Sequence, residues 1–490
     1  MIQIILRATL SLAFFGAATG AAVAQPFAYV ANAGSDNIAG YSVDSVTGAL
    51  TELPSSPFPA GSLPQAVAAA PSGKFVYAAN SDDSTISAYS LNGKTGALTQ
   101  ITGSPFATGA RPIGLAISPS GKFLYVGNID SGTISGFGID GATGALTALS
   151  GSPFSGAIYA EWLAFTPSGK YLYASNSGYG TVSGFAVGSD GSLTPVPGSP
   201  YTVGGYPTGL AVSPSGKFLY VPNGSNISAF RINNDTGKLA SIAGSPFSTG
   251  GLLGSLALTP SGEFLYSTGG SGDYVSAFTI NGTTGALMST SESPFPAADP
   301  YFIAISNSGQ FAYVSGANDN QMSEFSIQSS TGVLTPLPGS PFTVDGEYPT
   351  VIAFANPATK ACGALDVSAE ANLTPGPYTR QSRGSDLWNE TLSITNGVTP
   401  ITGPLSVVLE NLPSSTTTLS GTYPGLTTTY CFSTAGNYVV PIDSLIPPGN
   451  GDTLLPGEVL SVPFVFETTG GTSVKPTHYK AKLISGTLDK

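Results

Sequence analysis

Residues 111–154 read RPIGLAISPSGKFLYVGNIDSGTISGFGIDGATGALTALSGSPF, and this stretch is one copy of a repeat that decides the fold. Its closing Ser-Pro-Phe recurs along the chain, once with Tyr in place of Phe. The seven prolines of this motif are Pro57, Pro105, Pro153, Pro200, Pro246, Pro294 and Pro341, spaced by 46 to 48 residues. So regular a repeat is typical of units that are stacked or arranged in a ring.

The repeat contains four short apolar segments separated by glycine-rich turns. In the quoted copy they fall at residues 113–118, 123–128, 133–139 and 145–149. Each has the length and the apolar pattern of a β-strand. A helical repeat is excluded because no segment has a helical period and glycine interrupts every window. We therefore predict four antiparallel strands per unit, which make one blade of a β-propeller.

An aromatic motif at the start of each second strand counts the blades. It occurs at Phe27/Tyr29, Phe75/Tyr77, Phe123/Tyr125, Tyr171/Tyr173, Phe218/Tyr220, Phe264/Tyr266 and Phe311/Tyr313. The first copy lacks an inner strand, and the last inner strand, residues 350–355, has no partners after it. Pairing these two ends closes the ring and hides its edge strands. The fold class predicted for residues 25–356 is therefore all-β, a seven-bladed β-propeller of four-stranded blades.

The inner strands share a small central residue. Aligned on it, the seven positions are Ala68, Ala116, Ala164, Ala211, Ala257, Ala304 and Ala353. The neighbours are large, as in Leu115/Ile117 and Leu163/Phe165. Successive strand residues face opposite sides, so each blade has a small face and a bulky face. We expect the bulky face of one blade to fill the hollow of the next.

The N-terminal residues 1–24 have the pattern of a secretory signal peptide. Arg7 precedes an apolar stretch at residues 8–22, and Ala22-Val23-Ala24 is a small-x-small cleavage signal before Gln25. The alternative is an N-terminal membrane anchor, which a short stretch rich in Ala and Gly disfavours. No later segment is long and apolar enough to span a bilayer. We therefore expect a secreted, periplasmic or cell-surface protein.

The repeat ends near residue 356, and a second module follows. Residues 357–360 are the predicted linker, and residues 361–490 are strand-rich without the repeat. Their alternating and apolar runs indicate an immunoglobulin-like β-sandwich. Cys362 and Cys431 are the only two cysteines. In an exported protein we expect them to form a disulfide rather than a metal site.

Charge and histidine content exclude several classes of function. Only 9% of residues are charged and the net charge is −12 with no basic stripe, which argues against nucleic acid as a partner. The sole histidine, His478, lies in the C-terminal module. The propeller therefore contains neither a Ser-His-Asp triad nor a histidine metal site. We predict no metal and no cofactor, and we expect a monomer.

Two sets of loops share one face of a propeller with this strand order, and we call that face the mouth. Five residues before the aligned alanines, a first ring holds Leu63, Arg111, Tyr159, Tyr206, Leu252, Asp299 and Tyr348. Three residues before them, a second ring holds Gln65, Ile113, Glu161, Thr208, Gly254, Tyr301 and Thr350. The loops between the second and third strands add Asp36, Asp82, Asp83, Asp130, Asp273 and Asp319. With Glu347, these residues make an acidic mouth whose one evident cation is Arg111.

The chemistry of the mouth has several interpretations. Arg111 and Glu161 lie on neighbouring blades and form either an electrophile and general base at a lactone carbonyl or an inter-blade ion pair. Asp299 would be a second acid across the channel. The candidate ligand-binding residues are Gln65, Tyr159, Tyr206, Tyr301, Glu347 and Tyr348. Their tyrosines either stack on a sugar ring or pack at the rim.

Asparagine ends the second strand of five repeats. These residues are Asn32, Asn80, Asn128, Asn176 and Asn223. We predict that each forms an Asx-turn with the backbone that follows it.

Short strings in the repeat resemble one known family. Tyr29-Val30-Ala31-Asn32, Tyr125-Val126-Gly127-Asn128 and the turn Ser118-Pro119-Ser120-Gly121-Lys122 look like the lactonase-type seven-bladed propellers. That group includes 6-phosphogluconolactonase, carboxymuconate cyclase relatives and surface proteins with Tyr-Val-Thr-Asn repeats. The resemblance covers residues 26–356 and implies the fold more strongly than an activity, because its motifs are turn and core residues.

The same resemblance implies where an active site would lie. Enzymes of the family resemble one another in using His, Arg and Glu at the channel mouth. Here Arg111 and Glu161 fall at comparable positions and no histidine does. The C-terminal module resembles immunoglobulin-like accessory domains of exported bacterial proteins.

Two functions from different classes are open at this point. In the first, the chain is an exported, non-catalytic propeller that binds a small molecule, glycan or protein at its acidic mouth. In the second, it is a lactone hydrolase or cycloisomerase, similar to 6-phosphogluconolactonase, with a reduced site around Arg111 and Glu161. The single cation at the mouth favours the first function.

Overall fold

The computed structural model describes residues 26–356 except 250, 252, 270 and 271, together with the backbone of strands between residues 365 and 485. The chain divides into two compact units, with the boundary after Lys360. Apart from one 3₁₀ turn at Ser177–Tyr179, the regular secondary structure of the described residues is all β-strand. No described helix has the length and apolar character needed to cross a bilayer.

The first unit consists of seven antiparallel sheets, which we number blades 1 to 7 in the chain order of their second strands. The inner strands of blades 1 to 7 are Pro349–Ala355, Pro64–Ala69, Pro112–Ile117, Ala160–Phe165, Ala211–Val212, Leu253–Leu258 and Pro300–Ile305. The second strands are Phe27–Asn32, Phe75–Asn80, Phe123–Asn128, Tyr171–Asn176, Phe218–Asn223, Phe264–Gly269 and Phe311–Gly316. The third strands are Asn37–Val43, Thr85–Leu91, Thr133–Ile139, Thr181–Val187, Asn226–Ile232, Tyr274–Ile280 and Gln321–Ile327.

The outer edge of each blade is built from two short segments. The outer strands of blades 1 to 7 are Leu50–Glu52, Leu98–Gln100, Leu146–Ala148, Leu193–Pro195, Leu239–Ser241, Leu287–Ser289 and Leu334–Pro336. In six blades a two-residue strand then pairs with the third strand: Phe58–Pro59, Phe106–Ala107, Tyr201–Thr202, Phe247–Ser248, Phe295–Pro296 and Phe342–Thr343. In blade 3 the same place is taken by a single bridge between Ile134 and Phe154.

The two ends of the propeller sequence pair in blade 1. Pro349–Ala355 is antiparallel to Phe27–Asn32, with Ala353 opposite Tyr29 and Ala355 opposite Phe27. The ring therefore closes by joining the last inner strand to the first second strand. The predicted seven-bladed, four-stranded propeller is confirmed.

The Ser-Pro-Phe motif holds the outer edge of each blade. The Ser–Pro peptide bond is cis in all seven copies of this motif. Each serine Oγ accepts the N–H of a third-strand residue at 2.8 to 3.1 Å, as from Ala88 to Ser104 and from Gly136 to Ser152. The carbonyl of this third-strand residue still accepts a backbone N–H, as Ala88 does from Ile101 at 2.9 Å, but its own N–H faces the gap between the outer strand and the two-residue strand. The motif thus supplies a hydrogen bond that the broken edge strand cannot make.

The second-strand tyrosines join each blade to the next. Their side chains are fully buried, and each hydroxyl donates to a glycine carbonyl at 2.5 to 3.0 Å. The acceptors for Tyr29, Tyr77, Tyr125, Tyr173, Tyr220, Tyr266 and Tyr313 are Gly96, Gly144, Gly191, Gly237, Gly285, Gly332 and Gly48. These glycines have positive φ, and a Cβ on any of them would overlap the first aromatic ring of the same pair. The last bond, from Tyr313 to Gly48, crosses the seam between blades 7 and 1.

The blades pack face to face as the alanine pattern predicts. Ala116 and Tyr125 on one face of blade 3 contact a cluster that includes Leu163, Leu172 and Ala174 of blade 4. The same arrangement recurs between blades 6 and 7. Most of the hydrophobic core therefore lies between blades, and each blade depends on its neighbours for burial.

The strand-end asparagines correct one prediction. Instead of forming Asx-turns, Asn80, Asn128 and Asn176 donate their side-chain amides to Ser87, Ser135 and Ser183 of the third strand, each at 2.9 Å. The Oδ1 atom, which an Asx-turn needs as acceptor for the following backbone, is used elsewhere: in Asn80 it accepts the Gly61 N–H at 3.2 Å, and in Asn128 the Thr108 hydroxyl at 2.9 Å. The residue therefore holds the second and third strands together where they enter the mouth loop.

The second unit is described at the level of backbone strands. A four-stranded sheet has the order Leu365–Asp366, Lys480–Ser485, Leu405–Glu410, Tyr438–Pro441. A five-stranded sheet contains Ala371–Pro375, Leu387–Asn396, Val459–Thr468 and Thr417–Leu419 in that order, with Thr379–Arg380 beside Leu387–Asn396. Ile401–Thr402 pairs with Thr453–Leu454. The immunoglobulin-like plan stays a prediction, and Cys362, Cys431, residues 1–24 and the linker 357–360 lie outside the described residues.

Candidate functional site

The centre of the propeller is closed by two aromatic rings. Trp162 on the inner strand of blade 4 and Phe302 on the inner strand of blade 7 stack with ring centroids 5.6 Å apart and planes 28° apart. These blades are three apart in the ring, so the contact spans the central channel. We call the part of the mouth around these two rings, Glu161 and Tyr301 the cup. The repeat alignment does not single these residues out, although their position is occupied in the other blades by Ala66, Gly114, Gly209, Ser255 and Val351.

The second-ring residues lie at irregular points of the inner strands. The pairing with the second strand shifts register between Pro64 and Ala66, and between Ala160 and Leu163. Blades 1, 3, 6 and 7 have the same irregularity. A bulge re-aims the side chains that it carries. This local geometry allows Gln65, Glu161 and their equivalents to depart from the strict alternation of a strand.

The first-ring residues hold an unusual backbone conformation. Five of them have φ between 39° and 59°, a range that residues other than glycine rarely adopt. They are Leu63, Arg111, Tyr159, Asp299 and Tyr348. Loops of the preceding blade hold three of these residues by their N–H groups. Asp36 Oδ1 accepts from Leu63 at 2.8 Å, Asp273 Oδ1 from Asp299 at 3.1 Å and Asn320 Oδ1 from Tyr348 at 2.8 Å. Asp36 and Asp273 therefore help to build the mouth.

Glu161 is the most enclosed carboxyl of the mouth. Burial raises its pKa, while hydrogen bonds to Ser177 and Trp162 and the positive charge of Arg111 act in the opposite direction. Gly114 of blade 3 has no side chain at the point where a Cβ would overlap the Glu161 carbonyl. The glycine therefore lets the inner strand of blade 4 approach that of blade 3 at Glu161 and Trp162.

Tyr301 of blade 7 belongs to the same site. Burial raises its pKa to about 12, and the nearby charges of Tyr348 and Glu161 contribute to the shift. The rings of Tyr301 and Tyr348 are 6.1 Å apart. Glu161, Tyr301 and Tyr348 are thus brought together from blades 4, 7 and 1, as the ring alignment places them around one opening.

Arg111 pairs within its own blade. Its Nη1 is 3.5 Å from Asp130 Oδ1, and both side chains are about half exposed. This is the single ion pair among the described residues. The predicted inter-blade ion pair with Glu161 is wrong, because the Ile129 N–H binds the Arg111 carbonyl at 3.0 Å and brings Asp130 beside the guanidinium. Arg111 still favours the charged form of Glu161 at longer range.

The remaining candidates occupy separate parts of the mouth. Asp299 accepts the Asn318 N–H at 2.6 Å, so its hydrogen bonds join it to the blade 7 loop rather than to Arg111 or Glu161. Gln65 is half-buried in the second ring. Glu347 and Tyr348 line a cleft of about 480 Å³ formed by loops of blades 7, 1 and 2. Within the described ranges, no group of three His, Cys, Asp or Glu side chains is placed to hold a metal ion.

Tyrosines on blades 4 and 5 form a separate exposed group. Tyr159 and Tyr206 are 43% and 71% exposed. Tyr179, which the repeat alignment does not single out, is 61% exposed and its ring lies 5.8 Å from that of Tyr159. The signal for Tyr179 is the loop Ser177-Gly178-Tyr179-Gly180, which has no aspartate where blades 1, 2, 3, 6 and 7 have one.

Comparison with protein families matches the chain to the lactonase family of seven-bladed β-propellers. The matches cover residues 8–108, 66–157, 148–252 and 246–354, which together exceed half of the chain. The chain belongs to this family. Comparison with curated proteins gives no match.

Solved structures similar to this lactonase-family propeller have the same fold. A candidate 6-phosphogluconolactonase from Bacteroides fragilis superposes with a TM-score of 0.58 at 23% identity, over 68% of this chain and 98% of that one. One from Bacteroides uniformis gives 0.58 at 20%, over 68% and 99%. The periplasmic gluconolactonase of Pseudomonas aeruginosa gives 0.54 at 20%, over 67% and 99%. At such identities the likeness establishes the fold and no particular activity.

Proposed function

We propose that this lactonase-family propeller is an exported binding protein that holds a neutral sugar at its mouth without catalysis. The observation that carries the proposal is the stacked Trp162–Phe302 pair beside the enclosed carboxyl of Glu161. Aromatic faces pack against the C–H face of a sugar ring, and a carboxylate accepts hydrogen bonds from its hydroxyls. Tyr301 and Tyr348 add two more rings to the wall of the cup.

The charge of the mouth supports a neutral ligand. Phosphorylated and carboxylated substrates require several Arg, Lys or His side chains. The loops offer Arg111, whose guanidinium already faces Asp130. Asp82, Asp83, Asp273 and Asp319 surround the same opening with negative charge. A sugar without phosphate or carboxylate avoids this repulsion.

Lactone hydrolysis is the second candidate function. The observation that favours it is the raised pKa of Glu161 beside the field of Arg111, an arrangement suited to a general base near a polarising cation. Hydrolysis is disfavoured because Arg111, the cation that would stabilise the developing oxyanion, is half exposed and already paired with Asp130.

Export is supported by the N-terminal pattern of Arg7, the apolar residues 8–22 and Ala22-Val23-Ala24. One of the similar structures is a periplasmic gluconolactonase. N-terminal sequencing of the protein recovered outside the cytoplasm should begin at Gln25. A protein that retains residues 1–24 and fractionates with membranes would instead be anchored.

Calorimetric titration of the mature chain tests the binding function. Neutral mono- and disaccharides, neutral aldonolactones and their phosphorylated forms are compared, with hydrolysis followed by proton release. We expect saturable binding of a neutral sugar, no hydrolysis, and an affinity lowered about tenfold or more by Glu161→Gln. The matched control is Met288→Ala, which removes a 70% exposed side chain on the outer strand of blade 6.

Two results would contradict the binding function. Hydrolysis of a lactone that is abolished by Arg111→Ala would establish the second candidate. Binding that Glu161→Gln leaves unchanged would place the ligand away from the cup.

A further inference from the structure

Four exposed side chains lie on adjoining loops of blades 4 and 5, and we call them the tyrosine arc. Its members, Ile158, Tyr159, Tyr179 and Tyr206, are 52%, 43%, 61% and 71% exposed. The other large hydrophobic side chains exposed to this degree in the described residues are Val46, Met288 and Tyr348, which lie on other blades. The arc is therefore the one place where such side chains gather.

The first half of the arc is held rigid by its backbone. The rings of Tyr159 and Tyr179 are 5.8 Å apart with planes 48° apart. Tyr159 has φ 59°, and its carbonyl accepts the Ser177 N–H at 3.3 Å. Its ring lies on Gly178, where a Cβ would be 3.1 Å from the ring. The two rings are positioned before any ligand binds, which lowers the entropy that binding must overcome.

The second half is joined to the first through glycines. The Gly180 carbonyl accepts the N–H groups of Val203 and Gly204 at 2.9 and 3.1 Å. The Gly205 carbonyl is 3.0 Å from the position of a Cβ on Gly180. Tyr179 precedes this contact and Tyr206 follows it. The blade 5 loop thus packs against the blade 4 loop and continues the arc beyond Tyr179.

The arc is the uncharged sector of an acidic face. Residues 156–160, 177–181 and 203–208 contain no charged side chain. The corresponding loops of blades 1, 2, 3, 6 and 7 contain Asp36, Asp82, Asp83, Asp130, Asp273 and Asp319. A ligand that crosses the arc meets aromatic faces, tyrosine hydroxyls and glycine backbone. Flanking negative charge disfavours an anionic chain.

We propose that the tyrosine arc binds the sugars of a neutral oligosaccharide beyond the first one, which rests on the proposed function for the sugar held at Glu161. Tyr159 stands two residues before Glu161, so the arc starts where the cup ends. A glycan chain leaving the cup passes over Tyr159 and Tyr179 toward Tyr206. Each ring stacks on one sugar face, and the hydroxyls of the tyrosines bond to the edges of the sugars.

The test compares ligands of increasing length on the full mature chain. Cello-, xylo-, laminari- and malto-oligosaccharides, from disaccharide to hexasaccharide, are titrated against the wild type, Tyr179→Ala, Tyr206→Ala and Met288→Ala. We expect one of the four oligosaccharide series to bind, with an affinity that rises with the number of sugars. Tyr179→Ala should lower the affinity for the hexasaccharide about tenfold and leave that for the disaccharide unchanged. Tyr206→Ala should act on the longest ligands, and Met288→Ala should have no effect.

The outcomes separate the arc from the cup. The arc is overturned if affinity is equal for all lengths, or if Tyr179→Ala and Tyr206→Ala leave hexasaccharide binding unchanged. In either case the cup still stands if Glu161→Gln weakens binding of the disaccharide. Loss of hexasaccharide binding in the arc variants with Glu161→Gln unaffected supports the arc and overturns the cup. Binding of none of the four series overturns both. Tyr179→Ala, Tyr206→Ala and Met288→Ala alter exposed side chains. Thermal unfolding curves that match the wild type confirm that these three variants and Glu161→Gln are folded.

Discussion

In the body of the propeller, seven tyrosines make the same hydrogen bond to the next blade, whereas the second ring of the mouth carries six residue types at seven positions. The body must repeat because each blade face meets an equivalent partner. A bound ligand has no sevenfold symmetry, so the mouth is free to vary from blade to blade. Deviation from the repeat is therefore informative at the mouth and is expected to be costly in the body.

One residue breaks the rule of the body. The third-strand residue that donates its N–H to the Ser-Pro serine is Gly or Ala in six blades and Glu324 in blade 7. Glu324 is 5% exposed, and its Oε1 accepts the Leu50 N–H of blade 1 at 3.2 Å. It lies at the seam that closes the ring. Four changes test this difference between the body and the mouth.

The largest effect is expected at the turn glycine that receives the tyrosine bond. Gly144→Ala places a methyl group against the Phe75 ring at φ 75° and should lower the free energy of unfolding by about 3–4 kcal/mol. Gly141→Ala in the same turn is the control, because a Cβ there has nothing within 4 Å. Chemical denaturation measures both. Equal free energies of unfolding for the two variants would show that close packing of this glycine against the preceding blade does not stabilise the propeller.

The next effect concerns pH. Burial raises the pKa of Glu324 from 4.5 to about 7, so the folded protein binds this proton more tightly than the unfolded chain. The stabilisation is complete below pH 4.5 and is lost as the pH rises through about 7, by roughly 2–3 kcal/mol. Glu324→Gln should remove that part of the pH dependence. Parallel stability–pH curves for the two proteins would contradict the assignment.

A smaller effect is expected from a single inter-blade hydrogen bond. Tyr77→Phe removes the 2.8 Å bond to the Gly144 carbonyl and leaves that acceptor unpaired, at a cost of about 1–2 kcal/mol. Tyr206→Phe at the mouth, where the side chain is 71% exposed, should be neutral. Unfolding by urea distinguishes the two. A neutral Tyr77→Phe would mean that water replaces the lost hydroxyl.

The smallest effect concerns ligand binding and pH. Because burial raises the pKa of Glu161, its carboxylate becomes protonated at a higher pH than an exposed one. If sugar hydroxyls donate to that carboxylate, affinity falls as the pH falls through this pKa. Titrations at several pH values should show the decline in the wild type and a flat profile for Glu161→Gln. A wild-type profile that is also flat would remove the carboxylate from the binding site.

Much of the propeller can be predicted from the repeat, and the site less so. The aligned positions of the first and second rings identify Glu161 and Tyr301 as neighbours at one opening. They fail for Arg111, because its partner depends on a loop conformation at positive φ that no residue pattern reveals. They also fail for Trp162 and Phe302, since contact between blades 4 and 7 depends on the diameter of the closed ring and on bulges in the inner strands.

Seven four-stranded blades and closure by the two ends of the repeat can be predicted from residue patterns, because strand alternation, turn glycines and a constant period are local properties that each copy expresses alone. Three contacts appear only in the folded ring: the second-strand tyrosine bonds to a glycine of the next blade, Arg111 pairs with Asp130, and the Trp162 and Phe302 rings meet across the channel. Those contacts join residues of different blades or loops. Their distances exist only once all seven blades are packed around a common axis.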